Sequence, residues 1–284
     1  MGGTPGHLRP RTYVEIGVDR GRSLSLALPG TACVGIDPKP RVEFPLGRST
    51  KLFRVTSDRF FETSDLAAEL GDADVDLALI DGLHLFEFAL RDFMRLEAHC
   101  HRSSVVLVHD CYPIDQRTSS RQRDGQRGTW SGDIWKLVLA LREYRPDLAV
   151  HTVDVAPTGL GVVTGLDRTS TVLAEHYDEI VERYLDRPYS DVAADKAGLL
   201  NRVPDDWQAV RSLLPPRPPG RRRPAPLVVA RAARWRPGRR STVHRDLRQL
   251  LVLAHLDPIV GIGRRVQAKR ARGGTGDAGP AAPL

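Results

Sequence analysis

The stretch from Tyr13 to Ser23, with the sequence YVEIGVDRGRS, decides the fold. Its apolar start, Tyr13–Ile16, predicts a buried strand that stops at Gly17 and is followed four residues later by Gly21. Two glycines at this spacing let the chain turn tightly and let a ligand approach the backbone closely. We predict that a helix begins at about Arg22, so that its free N–H groups point at that ligand. The stretch therefore predicts the first strand, turn and helix of a doubly wound α/β domain that binds a ligand at the turn.

The acids around this turn indicate which ligand it binds. A dinucleotide-binding turn follows the pattern G-x-G-x-x-G, but Asp19 stands where the second glycine would be. Glu15 and Asp19 would repel a pyrophosphate, which disfavours a nicotinamide oxidoreductase, and they suit a ligand with a cationic centre and an amino group. A second strand, Cys33–Ile36, ends in Asp37, and an acid at that place can accept hydrogen bonds from both ribose hydroxyls. A nucleoside with a sulfonium and an amino acid tail, S-adenosylmethionine, meets both requirements.

Two motifs now carry a resemblance to a known family. Glu15-Ile-Gly-x-x-x-Gly21 and Gly35-Ile-Asp37 resemble the first two motifs of class I S-adenosylmethionine-dependent methyltransferases. The resemblance implies an α/β fold with a doubly wound, Rossmann-like, seven-stranded sheet that has one antiparallel edge strand. It also implies that the cofactor is bound by Glu15, Gly17, Asp19, Gly21, Ser23, Asp37, Asp58 and Asp81.

Asp58 has two interpretations. It follows the third predicted strand, residues 51–55, and in the family an acid or amide near this point contacts the adenine amine. Alternatively, Ser57 or Asp58 caps the helix that carries Phe60 and Phe61. The two interpretations are compatible, and both stay open.

The rest of the chain alternates between strands and helices. Apolar runs predict strands at 76–80, 104–108, 148–153 and 159–164, and the short link between the last two indicates an antiparallel hairpin. Apolar periodicity predicts helices at 23–28, 64–70, 86–98, 134–144, 170–185 and 205–213. We predict a methyltransferase domain at 1–165, helices on or beside it at 166–214, a basic Pro/Arg-rich linker and helical tail at 215–272, and a disordered end at 273–284. The polar residues 113–128 have no apolar period and indicate a mobile lid, and Ser131 is expected to cap the helix after it.

Polar side chains follow two of the buried strands. Asp81 and His84 come after strand 76–80, and His109 and Asp110 come after strand 104–108. The carboxyl ends of neighbouring strands form one crevice, and buried carboxylates there require a compensating cation or hydrogen bonds. A divalent metal such as Mg²⁺ suits the two aspartates, and His84 is placed to take a proton from a substrate hydroxyl. The simpler interpretation is that His84 caps or packs against the next helix.

The motif Leu79-Ile-Asp-Gly-x-His84, followed by Val108-His-Asp110, resembles a metal-dependent subgroup of class I O-methyltransferases. Its members include macrolide-sugar O-methyltransferases and cephalosporin hydroxylase-like proteins. The resemblance implies that Asp81 and Asp110 hold Mg²⁺, that His84 is the base, and that the acceptor is a small-molecule or sugar hydroxyl. His109 is counted as a third metal ligand, although Mg²⁺ prefers oxygen. His109 departs from the pattern, since an acid is often found there. The alternatives are a metal-free methyltransferase and a scaffold protein of the same fold that binds the cofactor without turnover.

Charge and cysteine content restrict the partners and the compartment. Residues 1–214 carry 26 Lys and Arg against 32 Asp and Glu, whereas residues 215–272 carry 16 against 2, so the basic character belongs to the tail. Trp235 is the only aromatic residue at 215–272, which disfavours nucleic acid as a partner. A solvated, partly helical tail is the favoured interpretation, and a weak contact with an acidic partner or membrane surface is the alternative. Three cysteines without metal-type spacing, together with residues 1–10 that lack an apolar core, predict a cytoplasmic protein without a signal peptide or membrane span. A homo-oligomer remains open.

Overall fold

A computed structural model of the chain describes residues 9–123 and 128–215. Within these residues eight strands form one sheet. The strands are β1 (Thr12–Ile16), β2 (Ala32–Ile36), β3 (Thr50–Phe53), β4 (Val75–Ile80), β5 (Cys100–His109), β6 (Ala149–Val153), β7 (Leu160–Thr164) and β8 (Arg202–Val203).

Nine α-helices and one 3₁₀ turn, Leu24–Leu26, connect and cover these strands in the described part of the chain. The helices are α1 (Ser57–Thr63), α2 (Leu66–Glu69), α3 (Phe86–Glu97), α4 (Trp135–Tyr144), α5 (Val172–Glu175), α6 (Tyr177–Leu185), α7 (Ser190–Ala193), α8 (Lys196–Leu199) and α9 (Trp207–Leu213). No helix among the described residues is both long and apolar enough to cross a membrane.

The sheet order is β3-β2-β1-β4-β5-β7-β6-β8. Strands β1 to β5 pair in parallel, and β7 runs antiparallel to both of its neighbours, β5 and β6. The doubly wound fold and the β6–β7 hairpin predicted from the sequence are confirmed. The sheet differs from the prediction in two details. The antiparallel strand β7 lies between β5 and β6 and not at the edge, and the two-residue β8 adds an eighth strand beside β6.

The register of the central strands brings their carboxyl ends level. Ile16 at the end of β1 pairs with Ile80 at the end of β4, and Ile80 pairs with Val108 near the end of β5. These strand residues are almost completely buried between helices on the two faces, as expected for the middle of a parallel sheet. The residues that follow them along the chain therefore meet at one edge of the sheet, which is where the polar clusters of the sequence lie.

Two predicted helices differ from the structure. The helix expected at 23–28 is only the 3₁₀ turn, because Ser25 donates its hydroxyl to the carbonyl of Arg22 and Pro29 closes the segment soon afterwards. The helix expected at 170–185 is broken at His176, whose backbone (φ −107°, ψ 14°) leaves the helical region between α5 and α6. The residues of α6 that face inward, Ile180 and Tyr184, lie in the same apolar core as the central strands.

Candidate active site

Gly17 joins the end of β1 to the end of β4. Its backbone is left-handed (φ +88°), and a Cβ at this position would overlap the backbone carbonyl of Asp81. Its N–H donates to the carbonyl of Ile36 at the end of β2. Only glycine fits here, so the turn predicted to bind the cofactor is packed tightly between three strand ends.

Asp37 fixes the shape of this turn. One of its carboxylate oxygens accepts hydrogen bonds from the N–H groups of Val18 at 2.9 Å and Asp19 at 2.8 Å, and the other accepts from Lys39 at 2.7 Å. The side chain is half-buried at the end of β2. Asp37 therefore lies where a ribose-binding acid is expected, and it also caps the turn that a nucleoside would approach.

Glu15 is completely buried beneath the turn. Its carboxyl accepts a hydrogen bond from the Tyr13 hydroxyl at 2.6 Å and another from the Ser23 hydroxyl. Burial raises the pKa of Glu15 to about 8, although these two hydrogen bonds act in the opposite direction. Glu15 therefore supports the turn through its hydrogen bond with Ser23, and its carboxyl group does not reach the surface of the turn.

The raised pKa of Glu15 predicts a pH dependence of stability. The folded protein holds the Glu15 proton up to about pH 8, whereas an unfolded chain releases it near 4.5. The stabilisation is complete below pH 4.5 and is lost as the pH rises towards 8, by up to about 1.4 kcal/mol per pH unit. Urea unfolding at pH 5, 6, 7 and 8 should show that Glu15→Gln removes this slope and that the exposed-site control Glu62→Gln keeps it. Parallel pH profiles for the wild type and Glu15→Gln would contradict the assignment.

Two of the predicted cofactor residues direct their side chains elsewhere. Asp19 belongs to the turn, but its carboxylate is half-exposed and pairs with Arg41 at 2.9 Å. Asp58 lies in the first turn of α1 and is bound by Arg91 and Arg95 of α3, which hold its pKa below the usual range. Both carboxylates are thus paired with arginines, and their roles in cofactor binding stay predictions. The alternative interpretation of Asp58 or Ser57 as a helix cap is wrong, because Thr56 is the residue that caps α1.

The side chains after β4 and β5 form one cluster. His84 bridges the two aspartates, with Nε2 3.2 Å from Asp81 Oδ1 and Nδ1 2.8 Å from Asp110 Oδ2. His109 Nδ1 lies 3.3 Å from the same Asp81 oxygen and 3.1 Å from the same Asp110 oxygen. His109 and Asp110 are buried, and about a quarter of the Asp81 and His84 side chains is exposed. All four residues predicted from the strand ends therefore meet at one point that solvent can reach from one side.

His84 is held in place by residues far along the chain. Its backbone is left-handed (φ +57°), and its carbonyl packs against Gly132, where a Cβ would overlap it. The ring of Trp130 stacks on the imidazole, with centroids 5.3 Å apart and planes 12° from parallel, and the Trp130 carbonyl lies 3.3 Å from Nδ1. The sequence did not predict this stacking of Trp130 on His84.

The segment between β5 and α4 was predicted to be a mobile lid, but its described residues form specific hydrogen bonds. The Trp130 indole donates to the carbonyl of Ser120 at 2.6 Å, and the Ser131 hydroxyl donates to the carbonyl of Thr118 at 2.9 Å. The prediction that Ser131 caps α4 is therefore wrong. Asp133 caps α3 instead, because it accepts the N–H of Phe86 at 2.8 Å. Residues 124–127 of the predicted lid and all of the predicted basic tail beyond residue 215 lie outside the described residues.

The carboxylates and imidazoles of the cluster shift one another's pKa. Burial alone would lower the pKa of His84, but the contacts with Asp110 and Asp81 outweigh it and raise the pKa to about 10. Burial acts to raise the pKa of Asp110, but His109 and His84 outweigh it and hold that carboxyl well below its usual range. The cluster as it stands is thus two carboxylates neutralised by protonated imidazoles.

The donor atoms of the cluster fit a divalent cation. Ligand atoms of Asp81, His84 and Asp110 lie within 4.8 Å of one another. Two further facts point to a ligand, because neither His109 Nδ1 nor Asp110 Oδ2 has a hydrogen-bond partner among the described residues, although both atoms are buried. Asp110 is fixed in a left-handed conformation (φ +64°), and its second oxygen accepts the hydroxyl of Thr158. One carboxylate oxygen is therefore aimed into the cluster without a hydrogen bond of its own.

The strand order, the reversed β7 and the acids at the carboxyl ends of β1, β2, β4 and β5 agree with the Rossmann-like fold that the sequence resemblance implies. Residues 14–111, about a third of the chain, match the family model described as "Methyltransferase domain". This segment contains the glycine turn, Asp37 and the whole Asp81–Asp110 cluster. Over residues 14–111 the chain is therefore similar to methyltransferase domains.

Solved structures with a similar arrangement include two O-methyltransferases. TomG from Streptomyces achromogenes, an O-methyltransferase involved in tomaymycin synthesis and solved with S-adenosylmethionine, has 15% sequence identity and a TM-score of 0.43, covering 56% of this chain and 74% of its own. The O-methyltransferase from Bacillus cereus, solved with S-adenosylhomocysteine, has 10% identity and a TM-score of 0.38, covering 55% and 74%. At these values the likeness carries no information about substrate. No curated protein matches the chain.

Proposed function

We propose that this protein transfers a methyl group from S-adenosylmethionine to a hydroxyl oxygen of a small molecule or sugar, with a divalent metal held by Asp81, His109 and Asp110 and with His84 as the base. One observation carries the proposal. The two strand-end carboxylates share His84 between them at the edge of the sheet where the glycine turn lies. Acceptor activation and methyl donation require such proximity.

The cofactor side of the proposal depends on the glycine turn and Asp37. Gly17 and Gly21 give the turn its left-handed backbone angles, and Asp37 lies beside the turn at the end of β2. Glu15 lies close enough to Asp37 and Asp81 for both charges to raise its pKa, so the three acids surround one region. S-adenosylmethionine would supply an electrophilic methyl group on a cationic sulfur, and the carboxylates of Asp37 and Asp81 favour a cation in this place, whereas Glu15 is neutral below about pH 8.

The acceptor side depends on the cluster. A divalent metal would lower the pKa of a hydroxyl bound to it. His84 is the residue that can remove the proton, since its ring lies between both aspartates and remains partly exposed. Without a metal, the contacts of His84 with Asp110 and Asp81 raise its pKa to about 10 and favour its protonated form at neutral pH. A metal-free enzyme in which His84 works alone is therefore the less favoured alternative.

A polar groove formed by the segment after β5 suits a hydroxylated acceptor. It lies between the segment before α4 and the end of α6, and its lining includes Ser119, Ser120, Arg121, Lys136 and Tyr189. The Ser120 carbonyl binds the Trp130 indole, which stacks on His84, so the groove wall is connected to the base. We assign acceptor recognition to this wall. Mg²⁺ as the metal and the cytoplasm as the location remain predictions from the sequence.

The test is the release of S-adenosylhomocysteine over a panel of sugar, phenol and other small-molecule hydroxyl acceptors. We expect turnover with at least one acceptor, loss of turnover after EDTA treatment, and recovery when a divalent metal is added back. Asp110→Asn should abolish turnover while cofactor binding, measured by calorimetry, is kept, because Asp110 does not touch the glycine turn. Glu62→Gln, at an exposed pair on α1, is the control. Tight cofactor binding without turnover over the whole panel would favour the scaffold alternative, and turnover that is unaffected by EDTA would favour the metal-free one.

A further inference from the structure

The metal site of this chain contains nitrogen donors. His109 lies at the end of β5 and directs Nδ1 to the oxygens of both aspartates, at 3.3 Å from Asp81 and 3.1 Å from Asp110. The histidine side chain is buried, with only 6% exposed, and Nδ1 has no hydrogen-bond partner among the described residues. In the described part of the chain, the nitrogen is paired only with these two carboxylate oxygens, in ion pairs that lack hydrogen-bond geometry, so a cation bound by all three atoms would satisfy them better than the imidazole proton does.

The spacing of the three donors agrees with binding to one metal ion. Two ligands that each lie about 2.1 Å from a metal stand roughly 3.0 to 3.4 Å apart at tetrahedral or octahedral angles. The distances of His109 Nδ1 from the two carboxylate oxygens fall in this range. The donor set is therefore one imidazole nitrogen and two carboxylate oxygens, with a second imidazole, that of His84, beside them.

We propose that this site selects a first-row transition ion that accepts mixed nitrogen and oxygen ligands, of the Mn²⁺, Co²⁺ and Zn²⁺ class, over Mg²⁺, and that His109 is the residue that sets this preference. The inference rests on the proposed metal site and deepens it. Mg²⁺ favours oxygen ligands and gives up its water reluctantly, whereas imidazole increases the affinity for transition ions. In the proposed set of three ligands, His109 is the one nitrogen donor, and the other two ligands are carboxylate oxygens.

The same geometry leaves His84 available as the base. Its two nitrogens already contact Asp81 and Asp110, and its ring is held by Trp130 on one face. Its side chain is partly exposed, whereas that of His109 is not. We therefore assign metal binding to His109, which is buried, and proton transfer to His84, which is partly exposed. The two roles can be tested separately by substituting one histidine at a time.

The experiment measures metal binding by the untagged full chain without cofactor or acceptor. Calorimetric titration with Mg²⁺, Mn²⁺, Co²⁺ and Zn²⁺ should give an affinity for Co²⁺ at least about tenfold higher than for Mg²⁺, and the order Mn²⁺, Co²⁺, Zn²⁺ should follow increasing affinity. The visible absorption of the Co²⁺ complex reports nitrogen ligation independently of activity. His109→Asp should bring the Co²⁺ and Mg²⁺ affinities within a few-fold of each other, and His109→Gln should weaken Co²⁺ at least about tenfold.

The control variants separate this inference from the proposed function. His101→Gln alters a histidine–aspartate pair at the other end of the sheet and should leave the Co²⁺ affinity unchanged. A wild-type protein that binds Mg²⁺ as tightly as Co²⁺, or a folded His109→Asp variant with the wild-type selectivity, would overturn the inference, and methyl transfer would be untouched by that result. Selective Co²⁺ binding with no S-adenosylhomocysteine release would support the inference and contradict the proposed function.

Discussion

Replacing His84 by glutamine is expected to lower kcat by about 10² to 10⁴-fold, which is the usual contribution of a general base. Glutamine keeps most of the volume and polarity of the side chain but cannot take the proton of the acceptor hydroxyl. The cofactor affinity should be unchanged, because the contacts of His84 are with Asp81, Asp110 and Trp130 and not with the glycine turn. The measurement is the rate of S-adenosylhomocysteine release at saturating acceptor, together with calorimetric titration of the cofactor.

His101→Gln is a matched control for this prediction. His101 Nε2 pairs with Asp76 Oδ1 at 2.9 Å, so it is also a partly buried histidine–aspartate contact between β4 and β5, but it lies near their opposite ends. Its loss should not change kcat. If His84→Gln keeps the wild-type kcat, or if both variants lose the same fraction of activity, His84 is not the base and its position between the aspartates is structural.

The strand ends could be predicted from the sequence because they depend on local patterns. Asp81 directly follows an unbroken apolar run and Asp110 follows another after His109, and short runs of this kind favour buried strands of a parallel sheet. Sheet geometry then places the residues after both strands at one edge, whatever the loops between them do. The same reasoning placed Asp37 at the end of β2, and the structure puts it beside the glycine turn.

The directions of individual side chains could not be predicted, because their partners are distant in sequence. Asp58 is bound by Arg91 and Arg95, which lie more than 30 residues later in the chain. Asp19 is drawn to Arg41 by an exposed ion pair, which costs little to rearrange. The sequence pattern shows which carboxylates follow the strands, but it does not show which arginine side chains will pair with them.

The support of His84 was also invisible in the sequence. Gly132 and Trp130 lie 46 or more residues after His84, and neither belongs to a recognisable motif with it. Gly132 is conspicuous only once its left-handed backbone (φ +58°) is seen to pack on the His84 carbonyl. In the sequence, Gly132 looks like an ordinary turn residue of a polar loop. Its close contact with His84 could therefore be recognised only from the structure.

Gly17→Ala is expected to destabilise the protein by at least about 2 kcal/mol more than Gly30→Ala, although the two glycines have the same backbone angle (φ +88°). In both variants alanine must adopt a left-handed conformation, which costs about 1 to 2 kcal/mol. At Gly30 a Cβ meets nothing within 4 Å, whereas at Gly17 it overlaps the backbone carbonyl of Asp81. Urea unfolding of the two variants against the wild type therefore separates backbone strain from the close approach of β1 and β4.

The two variants should also differ in activity. The Cβ at Gly17 meets backbone that cannot rotate away, so the start of the loop after β4 must move, and that loop carries Asp81 and His84. Gly17→Ala should therefore weaken cofactor binding and turnover together, whereas Gly30→Ala should keep both. Equal losses of stability in the two variants would mean that the β1 turn is not packed against Asp81. In that case the cofactor turn and the metal cluster would not share one wall, and the geometry that joins methyl donor to acceptor would have to be sought elsewhere.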